Sequence, residues 1–524
     1  MSHVKIRACS IILKDHFGSV VQSVGECLLK VSWRSLGEIA RSTNLPLAKI
    51  KKSLMVLIHQ NLVDFEAHPK GTVKYSINAD RVLCMLRYSR YIYCTKMLYG
   101  DAGEFIIEEV LLNGRLCMSL VLQKVLERLQ GAGTAEDVKQ KFVDLVKTSF
   151  LCRVPYPDPD APASKIPSLI MPDDVMYKIP EVKLYLLKQN TGEPSAEPPA
   201  KKIKMEKPEG EKQPDEKEYW RVNIDRFHQH LRWEPMPWLI DQLVVQAVSK
   251  RMGAKAGEVV RTMLRLSETR SHPKDAYSAP VSRSEIYQSL QQEIKISQQE
   301  LDSYLSLLAD DALGLVRRTD ERGGMFSVNL ERTLRLLAEG VLASIVQDRF
   351  GAKSCRIFRL LLEKKYLEQK QIEELAMITA RDAKEMTYKM FQEKFVLAQE
   401  LPRTPDYAPS RMIYLFHVDI PQLSRQVLEW CYKALANMML RRIHITEDLK
   451  RLLDKKQRVD LILSTMHPNN STPEQIAEVK EMVTPPERKQ LAYVRHVTSK
   501  IGLGEVQLDE TILILQLYIL SLSK

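Results

Sequence analysis

Between residues 350 and 418 apolar and polar positions alternate with two different periods, and the change of period predicts a specific order of elements. Ile357, Leu360, Leu361 and Lys364 share one face of a helix over Ala352–Glu363. A shorter helix, Gln369–Met377, turns Ile372, Leu375 and Ala376 inward. Thr379 stands where an N-cap belongs, because its hydroxyl can accept an otherwise unpaired N–H of the next helix. That helix, Ala380–Phe395, has Ala383, Met386, Met390 and Phe391 as its apolar stripe. Two strand-like runs, Val396–Gln399 and Met412–Val418, follow around the turn-rich loop Pro402–Pro409. Helix, helix–turn–helix and hairpin is the winged-helix order.

The same order recurs. In residues 1–80 a long helix, Lys5–Leu29, leads to Leu36–Arg41, a turn at Asn44 and a helix Leu47–Gln60 with Ile50, Leu54, Leu57 and Ile58 inward. Val63–Ala67 and Thr72–Ile77 then make a hairpin turned at Pro69–Gly71. Residues 81–190 read as a second copy with an expanded wing. Phe105–Leu112, Met118–Leu129 and Ala135–Thr148 are its helices, Phe150–Val154 starts the wing, and the returning strand is expected near Met176–Lys183.

Residues 191–218 hold five prolines, no aromatic residue and alternating Lys and Glu, which predicts a disordered linker. Residues 219–333 give a third copy. Its helices are Leu239–Arg251, Glu258–Leu266, Ser282–Leu290 and Ser297–Ala309, and its strands Leu315–Thr319 and Met325–Asn329 turn at Gly323–Gly324. Residues 334–420 are the fourth copy, entered by Leu334–Val346. From 421 to 524 the pattern becomes one charged helix, Leu423–Met466, weakest at the β-branched patch Ile443–Thr446. After the break at Pro468–Pro473 come Glu474–Met482, Glu487–Lys500 and Val506–Leu522, a helical hairpin or antiparallel coiled coil whose final apolar run needs a partner surface. The fold class is therefore mainly α with small β-wings: four tandem winged helices and a C-terminal coiled coil.

Composition narrows the function. The formal charge of +11 favours an acidic partner, though it is moderate for 524 residues. No apolar run approaches the ~20 residues that span a bilayer, and Met1–Arg7 lacks the layout of a cleaved signal, so a soluble intracellular protein with no membrane partner is expected. Eight scattered cysteines without a CxxC pair predict buried free thiols rather than a zinc site. The chain has no GxxxxGK loop, no GxSxG elbow and no HExxH, and no cofactor is expected. Asp225, His228 and His230 are the nearest approach to a metal site, but side chains two apart on a helix point to different faces. Asp310–Asp311 ends a helix without the surroundings a magnesium site wants. Binding, rather than catalysis, is the expected mode of action.

A helix that reads DNA offers Lys, Arg, Asn or Gln near its N-terminal outward positions. The first copy offers Lys49, Lys51 and Lys52, and the fourth Arg381 and Lys384, diluted by Asp382 and Glu385. The second begins Glu136–Asp137 and the third carries Glu300 and Asp302, which repel phosphates. Lys49, Lys52, Arg381 and Lys384 are therefore the candidate phosphate contacts; a solvated Lys face is the competing reading. A second basic stretch interleaves Arg81, Arg87, Arg90 and Lys96 with Tyr88, Tyr91 and Tyr93, a mixture that suits unpaired bases or a protein interface. Lys201, Lys202 and Lys204 resemble a short nuclear-import signal.

The run RVLCMLRYSRYIYCTKMLYGDAGEFIIEEVLLNG (81–114) resembles the signature of the third-largest subunit of RNA polymerase III. So do YWRVNIDRFHQH (219–230), EVVRTMLR (258–265) and TPDYAPSRMIYL (404–415), closest to the animal forms. The resemblance implies a nuclear, non-catalytic subunit related to the large subunit of transcription factor IIE, without that relative's zinc module. It further implies a heterotrimer with two other polymerase III-specific subunits beside the clamp. Contact with the initiation factor and help in opening promoter DNA, single-stranded regions included, follow, as does a part in sensing cytosolic AT-rich DNA. Against the family pattern, Trp233–Ile240 (WEPMPWLI) reads as an apolar insert. The rival readings are a free-standing sequence-specific DNA-binding factor and an adaptor whose winged helices touch only protein.

Overall fold

In the computed structural model, residues 2–67, 72–129, 134–157, 169–180, 218–233, 252–268, 275–293, 296–311, 314–319, 324–402, 412–465 and 481–522 are described, with 215, 248, 249, 270 and 479 singly. They form two compact units, Met1–Leu231 and Arg232–Lys524.

In the first unit the expected opening helix is two, His3–Phe17 and Ser19–Lys30, broken at Gly18, whose φ of +84° favours glycine. Leu36–Thr43 starts with a Ser35/Glu38 capping box and ends at Asn44 in the left-handed region. Leu47–His59 follows, burying Ile50, Leu54 and Leu57. The wing is Val63–Ala67 paired antiparallel with Val73–Ile77, and a two-residue strand, Arg34–Ser35, adds a third member. Such a short leading strand precedes the helix–turn–helix in every copy, at Leu116–Cys117, Val281–Ser282 and Leu367–Glu368, so each winged-helix sheet has three strands rather than the expected two. A separate two-stranded ribbon pairs Tyr156–Pro157 with Leu169–Ile170.

The second copy corrects the expected chain path. Its sheet runs Leu116–Cys117, Tyr219–Val222, Leu151–Arg153, so the strand between the other two comes from beyond the charged segment and not from residues 176–180 of the expected return, whose last three residues lie outside the described ones. Asp173–Met176 is a short helix instead, and Pro180 cannot donate a ladder N–H. Tyr219–Val222 alternates, with Trp220 and Val222 inward; Trp220 is fully buried, edge-on to Phe142 at 5.6 Å. The next helix, Ile224–Trp233, puts Phe227 into the same core, so this segment completes the second copy rather than opening the third.

The second unit holds a third three-helix-plus-sheet arrangement, Ala254–Glu268, Arg283–Glu293 and Gln298–Asp310 with Val316–Arg318 and Met325–Val328. The fourth follows from Leu330–Phe350 through Ala352–Lys364, Gln369–Ala376 and Ala380–Gln392 to a six-pair wing, Leu397–Pro402 against Met412–His417. Ile357, Phe358, Leu361, Ile372, Ala383, Thr387 and Met390 are its buried positions. Leu375 and Phe391, expected inward, are exposed, as is Lys364.

Beyond it, Ile420–Asp448 continues straight through the β-branched patch, where Thr446 Oγ1 bonds back to the Arg442 carbonyl, and breaks only at Leu449 before Lys450–Thr465. Pro485–Leu522 returns as one helix, through Gly502 and Gly504, where two were expected. Contacts Tyr432–Gln516, Arg442–Glu505 and Lys455–Glu487 run in opposite order along the two arms, which makes the pair antiparallel. The final apolar run finds its partner surface inside the unit: Leu513, Ile514 and Leu517 join the core of the third copy and of Leu330–Phe350. The turn at Gly323, most of Leu239–Arg251 and Glu474–Met482, residues 234–240 of the apolar insert, and Lys201, Lys202 and Lys204 lie outside the described residues.

Candidate nucleic-acid interface

In each copy the helix next before the wing, the third of the winged-helix order whatever helix leads into it, has the same length and the same buried register. Leu47–His59, Ala135–Lys147, Gln298–Asp310 and Ala380–Gln392 are each 13 residues long. All bury their fourth, eighth and eleventh residues: Ile50, Leu54 and Leu57; Val138, Phe142 and Leu145; Leu301, Leu305 and Leu308; Ala383, Thr387 and Met390. Surface positions can therefore be compared one for one.

At the third position stand Lys49, Asp137, Glu300 and Asp382. Three of these helices follow the usual N-terminal chemistry, a Thr134, Ser297 or Thr379 hydroxyl accepting a backbone N–H and an acid in the first turn facing the positive helix end. The first copy departs from both rules. Its N-cap is Pro46, with no side-chain bond, and its first turn has no acid but Lys49. A cation there is unfavourable to the helix dipole, and such local costs are expected where function demands them. Lys49, Lys51 and Lys52 are all exposed, and none makes an ion pair or side-chain hydrogen bond among the described residues. Lys51 belongs to this face as much as the two lysines singled out from the sequence.

The fourth copy reaches a basic face differently. Asp382 is ion-paired to Lys353 at 2.9 Å, and Glu385 to Lys389 at 2.7 Å. The hydrogen bond and charge of Lys353 hold the Asp382 carboxyl below its ordinary range, and Lys389 does the same for Glu385. The two acids that dilute this helix are thus already neutralised, while Arg381 and Lys384 stay exposed with no such partner among the described residues. Lys384 occupies the position of Lys51. In the third copy Asp302 is paired with Arg283 at 2.7 Å, which spends a cation on an acid rather than leaving one over.

The Arg- and Tyr-rich stretch behaves otherwise. Arg81 binds Asp64 at 2.7 Å and the Asn61 carbonyl at 3.2 Å. Arg87 and Tyr91 are buried, and both meet His228 Nε2, at 3.2 and 2.9 Å, with Cys84 Sγ at 3.6 Å. Guanidinium can only donate, so His228 Nε2 is assigned as an acceptor, and its lone pair is not free for a metal. His230 instead lies edge-on to Phe150 at 5.4 Å. No group of three or more His, Cys, Asp or Glu suited to a metal occurs among the described residues. Tyr88 is half-buried with its phenol pushed up by burial, Arg90 is half-buried, and Lys96 is ion-paired to Glu104 at 2.7 Å. This stretch packs and pins the fold; it offers no open basic face comparable to Lys49–Lys52.

All eight cysteines are buried and free. Burial pushes the Cys9 thiol up to about 12 and Cys431 up to about 11, which keeps them protonated and unreactive. No helix among the described residues is long and apolar enough to cross a membrane.

Comparison with known proteins bears on what such a chain serves. Residues 7–68 match the family model described as RNA polymerase III subunit RPC82 helix-turn-helix domain, and 174–337 that of RNA polymerase III subunit RPC82. Residues 342–418 match the POLR3C C-terminal winged-helix domain, and 451–514 the DNA-directed RNA polymerase III subunit RPC3 helical hairpin domain. Among whole proteins, the chain is 44% identical to mouse DNA-directed RNA polymerase III subunit RPC3, with 100% of each chain covered. It is 43% identical to the human and 41% to the zebrafish subunit of that name, each with 99% of both chains covered. The chain belongs to the RPC3 subunit family of DNA-directed RNA polymerase III.

Proposed function

We propose that the chain works inside RNA polymerase III by binding alone, holding basic winged-helix surface against promoter DNA while its helical hairpin docks on the clamp region. In this reading it joins two other polymerase III-specific subunits in a peripheral heterotrimer, contacts the initiation factor, and supports recruitment and opening of the duplex in the nucleus. Lys201, Lys202 and Lys204 act as its import signal. The polymerase's part in sensing cytosolic AT-rich DNA, through its RNA product, comes with the assignment and attaches to no particular residue. Phosphate contacts fall to Lys49 and Lys52, with Lys51 beside them, and to Arg381 and Lys384.

The observation that carries the DNA-facing part is the first copy's third helix, which has neither a side-chain cap nor a first-turn acid and presents three lysines that are unpaired among the described residues. Catalysis then rests with other subunits of the enzyme. The test is transcription by polymerase III prepared from cells depleted of this chain. Added recombinant chain should restore promoter-directed initiation, while extension from a pre-opened, tailed template should proceed without it. Equal dependence of both reactions would contradict a role in recruitment and opening.

A further inference from the structure

The outward stripe of the fourth copy's third helix has a chemistry that none of the other three shares. Arg381, Lys384, Tyr388 and Phe391 fall within an arc of about 80° on Ala380–Gln392, flanking the buried Ala383, Thr387 and Met390, with Phe391 nearest to them. Tyr388 is 66% exposed and Phe391 43%. In the shared register Tyr388 takes the ninth position, occupied by Met55, Val143 and Ser306 in the other copies. Of the four helices, only this one therefore sets an exposed aromatic ring one turn from a cation that is unpaired among the described residues.

We infer that this stripe is a binding face for unpaired bases of a nucleic acid strand, with Tyr388 and Phe391 as stacking platforms and Arg381 and Lys384 on the flanking phosphates. The inference rests on the polymerase-subunit reading above and assigns the fourth copy a substrate class that the first does not share. Every base has a π-face, so ring stacking binds single strands without sequence preference, and a duplex hides those faces. Cations beside rings are the usual single-strand pattern, because the same contact that stacks a base leaves its phosphate within reach. Lys49, Lys51 and Lys52, by contrast, stand beside Met55 and Val56, a face suited to a duplex backbone. Charge chooses between a nucleic acid and a protein partner here. Lys353 and Lys389 neutralise the two acids of the stripe's border, so what remains uncompensated is positive.

The full chain can be titrated with a fluorescent oligothymidine and, separately, with a mixed-sequence hairpin duplex. Y388A/F391A is expected to weaken the oligothymidine complex by roughly tenfold or more, with the duplex complex changed by less than about twofold. Y388F/F391Y, which keeps both rings, should bind the single strand like the unaltered chain, and R381Q/K384Q should weaken both complexes and flatten the salt dependence. Y388A alone, at the more exposed position, should show the same selective loss should the double variant fail to fold. Unchanged oligothymidine affinity, or equal loss on both probes, overturns the inference. So does a Y388A/F391A chain that keeps single-strand affinity but loses a polymerase subunit on affinity isolation, which would make the stripe a protein-docking face. Failure of the underlying reading has a separate signature, since the unaltered chain would then not co-isolate with the polymerase at all.

Discussion

Asp215 accepts a hydrogen bond from the backbone N–H of Ser119 at 2.7 Å, across 96 residues of chain. The carboxylate is buried at the start of helix Met118–Leu129, where the positive helix end favours it. Three residues later Glu218 is ion-paired to Arg153, and then Tyr219–Val222 enters the sheet. The end of the charged segment is thus anchored on the second winged helix, which cannot be completed before residue 222 has been made.

That dependence can be tested by fragments. A fragment of residues 1–190 should leave its second copy molten, with weak protection of amides in Met118–Leu129 and Ala135–Lys147, while residues 1–231 should protect them. Within the full chain W220A should cost about 3–5 kcal/mol, as expected for truncating a fully buried aromatic, a large part of a domain's net stability. Urea unfolding followed by hydrogen exchange of those helices reads both effects.

Gly114 joins the first and second copies. Its φ is +76°, and an added Cβ would lie 2.6 Å from the His59 carbonyl oxygen, next to the Gln60 Nε2 bond to the Leu112 carbonyl at 3.1 Å. G114A is expected to destabilise the first unit by about 1–3 kcal/mol, since backbone cannot move aside cheaply. Faster exchange at residues 57–62 and 112–117, with a lower melting temperature, is the result to look for.

Near the hairpin tip, the Lys455 ammonium and the Thr484 N–H hold the Glu487 carboxyl at about 2, against an ordinary 4.5. The folded chain therefore resists a proton that the unfolded chain accepts, so this contribution is complete above pH 4.5 and is lost as the pH falls towards 2. E487Q should remove that part of the acid sensitivity. Amide protection in Lys450–Thr465, taken relative to the intrinsic exchange rate at each pH, should fall on acidification more in the unaltered chain than in E487Q.

For the first copy, K49E/K52E should weaken duplex binding and reduce the slope of log affinity against log salt by roughly two, one for each lost phosphate contact. The melting temperature should hold, because both side chains are exposed and lie off the buried stripe. Unchanged affinity would remove this helix from the interface.

Much of the fold was legible from residues alone, because a period near 3.6 marks each third helix and Thr379 marks the start of the fourth copy's. What escaped notice has physical reasons. Tyr219–Val222 is too short to advertise itself as the partner of Leu151–Arg153 across the charged segment. Thr387 is buried although polar, and Phe391 exposed although aromatic, since an apolar stripe read from composition alone is drawn too wide. The break at Leu449 carries no Gly or Pro to signal it. At the candidate site, the exposure of Lys49, Lys52, Arg381 and Lys384 follows from helical period, and Lys389 could be paired with Glu385 by its spacing. The pairing of Lys353 with Asp382 could not, because it joins two helices. Nor could the burial of Arg87 and Tyr91, which depends on His228 arriving from far along the chain.

Affinity isolation of the tagged chain from nuclear extract at moderate salt, read by mass spectrometry, bears on all of these contacts at once. Recovery of the polymerase III core together with two further polymerase III-specific subunits is the predicted result. Recovery of the chain alone, still binding DNA, would contradict the subunit reading and favour a free-standing DNA-binding factor.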